Sequence, residues 1–164
     1  MDEAPEITQR AAQPYAGISA WVPWAAVGSV ADRIPEIFGW LGARGITPAG
    51  PPFFRYHVVD MEGQLEVEAG VPVASAIEDD GDIRAGTLPA GQFAVMTRTG
   101  APDTLVAATA DLLAWAQERG LTWDMSRTDA GERWGCRVEF YLTNPAEQPD
   151  LTKWQTQLAF RLAD

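Results

Sequence analysis

The chain has 164 residues, of which 46% are hydrophobic and 21% are charged, and this length can bury a single hydrophobic core. Twenty-three acidic and twelve basic residues give a formal net charge of −11, which disfavours direct binding to nucleic-acid phosphates. The single Cys136 excludes an internal disulfide framework and a zinc site built on paired cysteines.

Residues 1–14 are polar and lack periodicity, which indicates a flexible N-terminal lead-in. The opening MDEAPEITQR is acidic where a signal peptide requires a basic and then an apolar segment. The sequence contains no apolar run long enough to predict a transmembrane helix. We therefore expect a cytoplasmic protein that has no membrane partner.

Two segments have the apolar spacing of helices. The first helix should begin near Asp32, because Pro35 then falls in the first turn, where a proline is tolerated. The second helix should begin with Asp103 as its N-cap. Gly45 and Gly120 are placed to adopt the left-handed conformation just past the two helix ends.

The ends of the two predicted helices resemble each other. WLGARGIT at 40–47 matches WAQERGLT at 115–122 with identity at four of eight positions. The chemistry that ends a helix explains the shared Arg and Gly, but it does not explain the shared Trp and Thr. We therefore favour an internal duplication over coincidence, with Trp40 and Trp115 in the core.

Strand patterns flank both helices. In chain order they cover 16–22, 53–59 and 64–71, and then 92–98, 133–142 and about 154–162. This order predicts an α+β fold in which two tandem strand–helix–strand–strand repeats form a pseudo-twofold, mostly antiparallel sheet with two main helices on one face.

The predicted repeats occupy about 15–74 and 91–164 of a single domain that spans 15–164. An acidic linker at about 75–90 joins them. A run of charges like this one usually forms a solvated loop, so we assign it no function.

The second strand of repeat two carries the most information. Its even positions are apolar, namely Trp134, Cys136, Val138, Phe140 and Leu142. Because strand residues alternate between two faces, this set should pack on a helix, while Arg137, Glu139 and Tyr141 point the other way. A carboxylate in mid-strand is unexpected for stability alone, although a water-exposed face of the sheet would also accommodate it.

Several segments, in their order and spacing, carry a resemblance to a known family. They are GPPFFRY at 50–56, VEAGVPV at 67–73, LPAG at 88–91, the stretch from Gly100 into the helix that ends near Leu121, and EFYLTNP at 139–145. In these segments the chain resembles the GyrI-like small-molecule-binding family, relatives of the effector-binding domains of bacterial multidrug-responsive transcription activators. The last segment is the most specific, because the family's ligand-facing glutamate stands at its head, here Glu139.

The resemblance implies a ligand cleft between the two halves, lined by aromatic rings and with Glu139 at its base. A carboxylate removed from water favours a cationic partner, and aromatic faces add cation–π attraction. The implied partners are lipophilic, cationic or aromatic small molecules. The candidate ligand-binding residues are Glu139, Tyr141, Trp154, Phe54, Tyr56 and Trp21.

The chain departs from the family in the loop before the second helix. The family commonly has His-x-Gly-Pro-Tyr there, whereas this chain has RTGAP at 98–102. The absent tyrosine leaves the role of this loop open.

Other reactive residues have ordinary interpretations. His57 has no metal-ligand partner at a meaningful spacing and no accompanying nucleophile motif, so we expect a satisfied or exposed histidine. Cys136 should act as a small hydrophobe on its apolar strand face. No glycine-rich phosphate loop follows a predicted strand, and we expect neither a cofactor nor a metal.

These observations predict a stand-alone binding protein for lipophilic, often cationic, aromatic compounds, acting in multidrug binding, sequestration or effector sensing. The sequence before residue 15 leaves no room for a helix-turn-helix, so we expect no direct action on DNA. The resemblance also implies an alternative, a hydrolase of cyclopropane-bearing genotoxins with Glu139 as general base and Tyr141 stabilising the developing charge. A second alternative is a gyrase-inhibitor-like role, in which the acidic surface contacts a protein partner.

Overall fold

The computed structural model describes residues 4–164, which form ten strands and three α-helices. The strands are β1 Glu6–Arg10, β2 Gln13–Pro23, β3 Phe53–Val59, β4 Gln64–Pro72, β5 Arg84–Leu88, β6 Gly91–Thr99, β7 Met125–Thr128, β8 Gly131–Trp134, β9 Arg137–Tyr141 and β10 Gln155–Arg161. The helices are α1 Val27–Ala31, α2 Ile34–Ala43 and α3 Leu105–Glu118. Within this described range, no helix has the length and apolar character needed to cross a membrane.

The strands pair antiparallel in one sheet, in the order β1-β6-β10-β9-β3-β4-β2-β5, and the β7–β8 hairpin joins it at β3. Each half places its first strand towards the outside and its second strand at the centre, where β3 meets β9. This arrangement confirms the predicted α+β fold, with two main helices on a large antiparallel sheet.

The sheet curls into a half-barrel. β5 and β6 lie far apart in the strand order, yet only residues 89–90 connect them along the chain. The face without helices carries one apolar cluster to which strands from both parts of the sheet contribute, including Tyr15, Phe53, Phe93 and Phe140. The helices cover two separate clusters on the other face, one under α1 and α2 and one under α3.

One prediction about strand faces is wrong. Cys136, Val138 and Phe140 belong to the cluster on the face without helices, so Glu139 points to the helix-bearing side. Regular alternation breaks between β8 and β9, where the backbone N–H of Gly135 donates to the carbonyl of Asp124 at 2.8 Å. Trp134 lies before this break and packs in the α3 cluster, as the sequence predicted.

The N-terminal lead-in is also not a flexible segment over its described part. Residues 6–10 form β1, which pairs along its whole length with β6. An edge strand is held by backbone hydrogen bonds and does not require alternating apolar residues. The polar sequence of residues 6–10 therefore gave no indication of a strand. Residues 1–3 of the predicted lead-in lie outside the described residues.

The acidic linker contains more structure than a solvated loop. Its later part forms β5, which pairs with the beginning of β2. Its carboxylates also bind side chains of the first half: Asp82 lies 3.1 Å from Arg33, and Asp80 lies 2.5 Å from Arg44. The linker is therefore attached to the outside of the first repeat.

The helix starts agree with the sequence in one case and differ in the other. α2 has Pro35 in its first turn, as predicted. Asp103 is not the N-cap of α3, because Pro102 opens a 3-10 turn over Pro102–Thr104 and the helix starts only at Leu105.

Both main helices end in the same arrangement. Gly45 and Gly120 have φ of 68° and 66°, the predicted left-handed conformation. Just before each glycine, an arginine lies over the ring of the tryptophan four residues earlier. The distance from guanidinium carbon to ring centre is 4.0 Å for Arg44 on Trp40 and 4.3 Å for Arg119 on Trp115. Both tryptophans pack at the border of the helix clusters.

A pair of glycine substitutions tests this reading of the helix end. Gly39→Ala, inside α2 with open space around the position, should raise the free energy of unfolding by about 0.5–1 kcal/mol. Gly45→Ala also meets open space, but its positive φ should lower that free energy by about 1 kcal/mol. Urea unfolding of both variants measures the difference, and equal signs would contradict the assignment.

Candidate ligand-binding site

A cavity of about 420 Å³ opens between the two halves, above the central strands β3 and β9. This volume lies within the range of small-molecule sites. One wall comes from α1 and the turn before it, and the opposite wall comes from the start of α3. The lining residues are Trp24, Val27, Gly28, Ala31, Phe54, Tyr56, Val59, Met61, Leu65, Pro102, Asp103, Leu105, Val106, Thr109, Arg137, Glu139 and Tyr141.

Glu139 lies at the floor of the cavity and is 7% exposed. The Tyr141 hydroxyl donates to its Oε2 at 3.2 Å, and the Tyr56 hydroxyl reaches its Oε1 at 3.5 Å. Phe54 stands opposite Glu139 in the β3–β9 pairing, so both side chains project to the same side of the sheet. The carboxylate is thus held by phenol groups within an aromatic wall.

Burial raises the pKa of Glu139 to about 7, because desolvation disfavours the charged form. The hydrogen bonds from Tyr141 and Tyr56 and the positive charge of Arg137 oppose this effect without cancelling it. Burial next to this carboxylate also raises the pKa of Tyr141 well above its ordinary value, so its hydroxyl stays a donor. At neutral pH, Glu139 is therefore divided between its neutral and charged forms.

The cavity changes from buried rings at its floor to exposed apolar side chains at its mouth. Phe54 and Tyr56 pack edge to face, with ring centres 5.2 Å apart. Trp24, Met61 and Val106 line the opening and are all exposed. Exposed apolar side chains that converge on one opening are typical of a site that accepts an apolar ligand.

The structure brings four of the six candidate residues together. Glu139, Tyr141, Phe54 and Tyr56 all line the cavity. These residues belong to β3 and β9, and the segment on which the resemblance was most specific begins in β9.

Trp154 and Trp21 do not line the cavity. The Trp154 indole N–H donates to the carbonyl of Gln148 at 2.7 Å, and its own carbonyl accepts from Gly100 at 2.8 Å. It therefore connects two loops beside the site. Trp21 faces away from the helices, as the strand alternation predicted, but the cavity lies on the helix side and Trp21 remains 45% exposed.

Sequence reasoning missed Trp24 and Arg137 as members of the site. Trp24 follows β2 in a 3-10 turn, a position that no periodicity marks. Strand alternation had placed Arg137 on the same face as Glu139, two residues later in β9, but Arg137 was not named as a member of the site. The departing loop at 98–102 also reaches the site, through Pro102 at its end.

His57 has the satisfied environment that its sequence context predicted. Its Nε2 lies 2.8 Å from Oε1 of Glu68, on the face of the sheet opposite to the cavity. The Tyr15 hydroxyl donates to the same oxygen at 2.5 Å, and Arg55 donates to that hydroxyl at 3.0 Å. This polar cluster takes no part in the cavity.

Comparisons with known proteins agree with this architecture. Residues 3–163 match the family model described as the GyrI-like small molecule binding domain. Comparison with curated protein sequences finds no match.

Solved structures share the fold at low identity. EcmrR in its DNA complex has a TM-score of 0.78 and 19% identity over 98% of this chain and 57% of that one. The EcmrR C-terminal domain alone has a TM-score of 0.76 and 17% identity, with 98% of each chain covered. SAV2435 bound to tetraphenylphosphonium has a TM-score of 0.65 and 11% identity, over 98% of this chain and 94% of that one. A hydrolase from Listeria innocua has a TM-score of 0.60 and 13% identity, over 97% of this chain and 91% of that one. The chain thus spans 57% of EcmrR, and these likenesses concern the fold alone.

The raised pKa of Glu139 predicts a specific pH dependence of stability. The unfolded chain loses this proton near the ordinary pKa of 4.5 and the folded protein only near 7, so stability should fall as the pH rises between these values. Glu139→Gln removes the ionisation, and above pH 7 it should be more stable than the wild type by about 3 kcal/mol.

Urea unfolding of both proteins at pH 4 and pH 8 measures this difference. The gain should be small at pH 4, and the exposed control Glu62→Gln should show no comparable gain at pH 8. A Glu139→Gln effect that is equal at both pH values would contradict the burial argument.

Proposed function

The chain belongs to the GyrI-like small molecule binding domain family, and from this premise we propose that it binds lipophilic, often cationic, aromatic molecules in the cavity between its halves. The observation that carries the proposal is the buried Glu139, held by Tyr141 within an aromatic cavity of ligand size. Without a ligand the charged form of this carboxylate is costly, and a cation offsets that cost.

Binding combines apolar burial with charge selection. Removal of roughly 300 Å² of apolar ligand surface from water contributes on the order of 7 kcal/mol before association costs. A micromolar dissociation constant needs about 8 kcal/mol net, so the contacts with the carboxylate and the rings have to supply the remainder. Tyr56 and Tyr141 offer aromatic faces beside the carboxylate, and each cation–π contact adds about 0.5–2 kcal/mol. Such a site distinguishes ligands by charge more strongly than by shape, so lipophilic cations of several shapes should bind.

The comparisons support the proposed class of ligand. The cellular role of ligand binding, sensing or sequestration, is part of our proposal. SAV2435, which shares the fold, is described with the lipophilic cation tetraphenylphosphonium bound. EcmrR, which shares the fold over 57% of its chain, is described in a complex with DNA. With a net charge of −11, this chain suits the sensing or sequestration of small molecules better than contact with nucleic-acid phosphates.

Quenching of Trp24 at the cavity mouth provides a direct test. At pH 8, tetraphenylphosphonium should quench tryptophan fluorescence with micromolar affinity, and Glu139→Gln should weaken binding by about tenfold or more because the cation loses its charged partner. The wild-type affinity should rise as the pH increases through about 7, the pKa of Glu139, whereas the Gln variant should show no such rise.

Matched controls make this test specific. Trp24→Phe should remove most of the quenching signal, whereas Trp21→Phe, at a similarly exposed tryptophan outside the cavity, should preserve it. Uncharged triphenylphosphine oxide should bind more weakly and without dependence on Glu139. Equal binding of both compounds by the wild type and by Glu139→Gln would exclude the proposed charge selection.

A hydrolase is the second candidate, because the pKa of Glu139 near 7 suits a general base at neutral pH. Glu139 would take a proton from water as the water oxygen attacks a cyclopropane carbon. The ring C–C bond would break as the C–O bond forms, and its electron pair would move into a conjugated carbonyl, where Tyr141 donates a hydrogen bond to the developing oxyanion. Glu139 would then return the proton to this enolate, so that one water is added overall. A hydrolase from Listeria innocua shares the fold.

Mass spectrometry separates the two candidates. Incubation of a cyclopropane-bearing genotoxin with catalytic amounts of protein should yield a product heavier by one water if the hydrolase candidate is right. Glu139→Gln should abolish that product. Unchanged toxin after incubation with excess protein would exclude hydrolysis of this class and leave the binding function.

A further inference from the structure

Arg137 shares the cavity with Glu139 but does not pair with it. It lies two residues earlier on β9 and projects to the same side of the sheet, where it lines the cavity. The two oxygens of Glu139 are occupied by the hydroxyls of Tyr141 and Tyr56. Within residues 4–164, the structure has no ion pair or hydrogen bond that involves the Arg137 side chain, and its Nε is buried without a hydrogen-bond partner.

Aromatic rings hold the Arg137 guanidinium in place. Its central carbon lies 4.8 Å from the ring centre of Phe160, 5.0 Å from that of Trp134 and 5.3 Å from that of Tyr56. These contacts fix the position of the cation, but ring faces do not accept its N–H groups as a carboxylate or carbonyl would. An arginine keeps its charge in a protein, so the group remains a cation with unused donors.

Other partly buried arginines of this protein are provided with acceptors. Arg55 donates to the Tyr15 hydroxyl and to the carbonyls of Thr87 and Gly135 at 2.9–3.2 Å. Arg161 binds the carboxylate of Asp124 at 2.9 Å. The Nε of Arg55 is also buried without a partner, but its terminal N–H groups are used. Of these three arginines only Arg137 lines the cavity, and it alone has no acceptor for its side chain within the described residues.

We infer that the cavity takes amphoteric aromatic ligands, in which a cationic group contacts Glu139 and a carboxylate or another strong acceptor contacts Arg137. This inference rests on the proposed function and narrows its ligand class. A carboxylate on the ligand would bind the terminal N–H groups, for which the described residues supply no acceptor. A bond formed inside the partly dehydrated cavity gains more than the same bond would give in water. Because the planar guanidinium offers parallel N–H groups, a carboxylate would fit it better than a single carbonyl.

Two dyes that differ in one group test this inference. Rhodamine 6G carries an ethyl ester where rhodamine 19 has a free carboxylate, and both have the same cationic xanthene. At pH 8, fluorescence polarisation should show that the wild type binds rhodamine 19 roughly tenfold more tightly than rhodamine 6G. Arg137→Gln should abolish this preference by weakening the acid alone, whereas Arg137→Lys should retain part of it.

The controls separate ligand recognition from structural support. Arg133→Gln, at an exposed arginine outside the cavity, should leave the preference unchanged. An Arg137→Gln variant that weakens both dyes by the same factor, or a wild type that does not prefer the acid, would overturn the inference. In either case, ester binding that still depends on Glu139 would keep the proposed function, whereas failure of both dyes to bind would overturn both.

Discussion

The antiparallel pairing of β3 with β9 joins the two halves at the centre of the sheet, and its register sets Phe54 opposite Glu139. Since paired residues of an antiparallel sheet project to the same side, the aromatic wall from one half and the carboxylate from the other enter one cavity. A shift of β9 by one residue would turn Glu139 to the opposite face of the sheet, the face that carries Phe53. The site is therefore a property of the contact between the repeats, and neither repeat contains it alone.

Glu68 and Glu139, the two glutamates that are buried within residues 4–164, have different surroundings. Glu68, on the face without the cavity, is surrounded by the Tyr15 hydroxyl and the His57 ring at 2.5 and 2.8 Å, and Arg55 extends this network. The hydroxyls of Tyr141 and Tyr56 contact Glu139, while aromatic rings hold the neighbouring Arg137. A satisfied network of the first kind rigidifies a fold, whereas unpaired charges around an open volume leave favourable interactions for a ligand.

Sequence reasoning placed residues correctly where local interactions fix their position. It misplaced residues whose position depends on contacts between segments far apart in the chain. Gly45 and Gly120 depend on local helix-ending geometry, and Glu139 was singled out by its position in a strand and by the family resemblance. The face occupied by Cys136 depends on a break at Gly135, whose backbone binds the distant Asp124. Trp21 and Trp24 lie three residues apart in the chain, and only the position of the cavity decides which of them lines it.

The sequence by itself determined the α+β class, the duplicated order of elements, the two helix ends and Glu139 as the central carboxylate, because these follow from periodicity, local backbone chemistry and a family pattern. The tertiary structure decided which face of β9 carries the cavity and that residues 6–10 form a strand. It also decided that Arg137 lines the cavity whereas Trp154 and Trp21 do not. These depend on pairings between segments far apart in the chain, whose geometry no local pattern contains. The pKa of Glu139 belongs to the same group, since desolvation arises only when both halves enclose it.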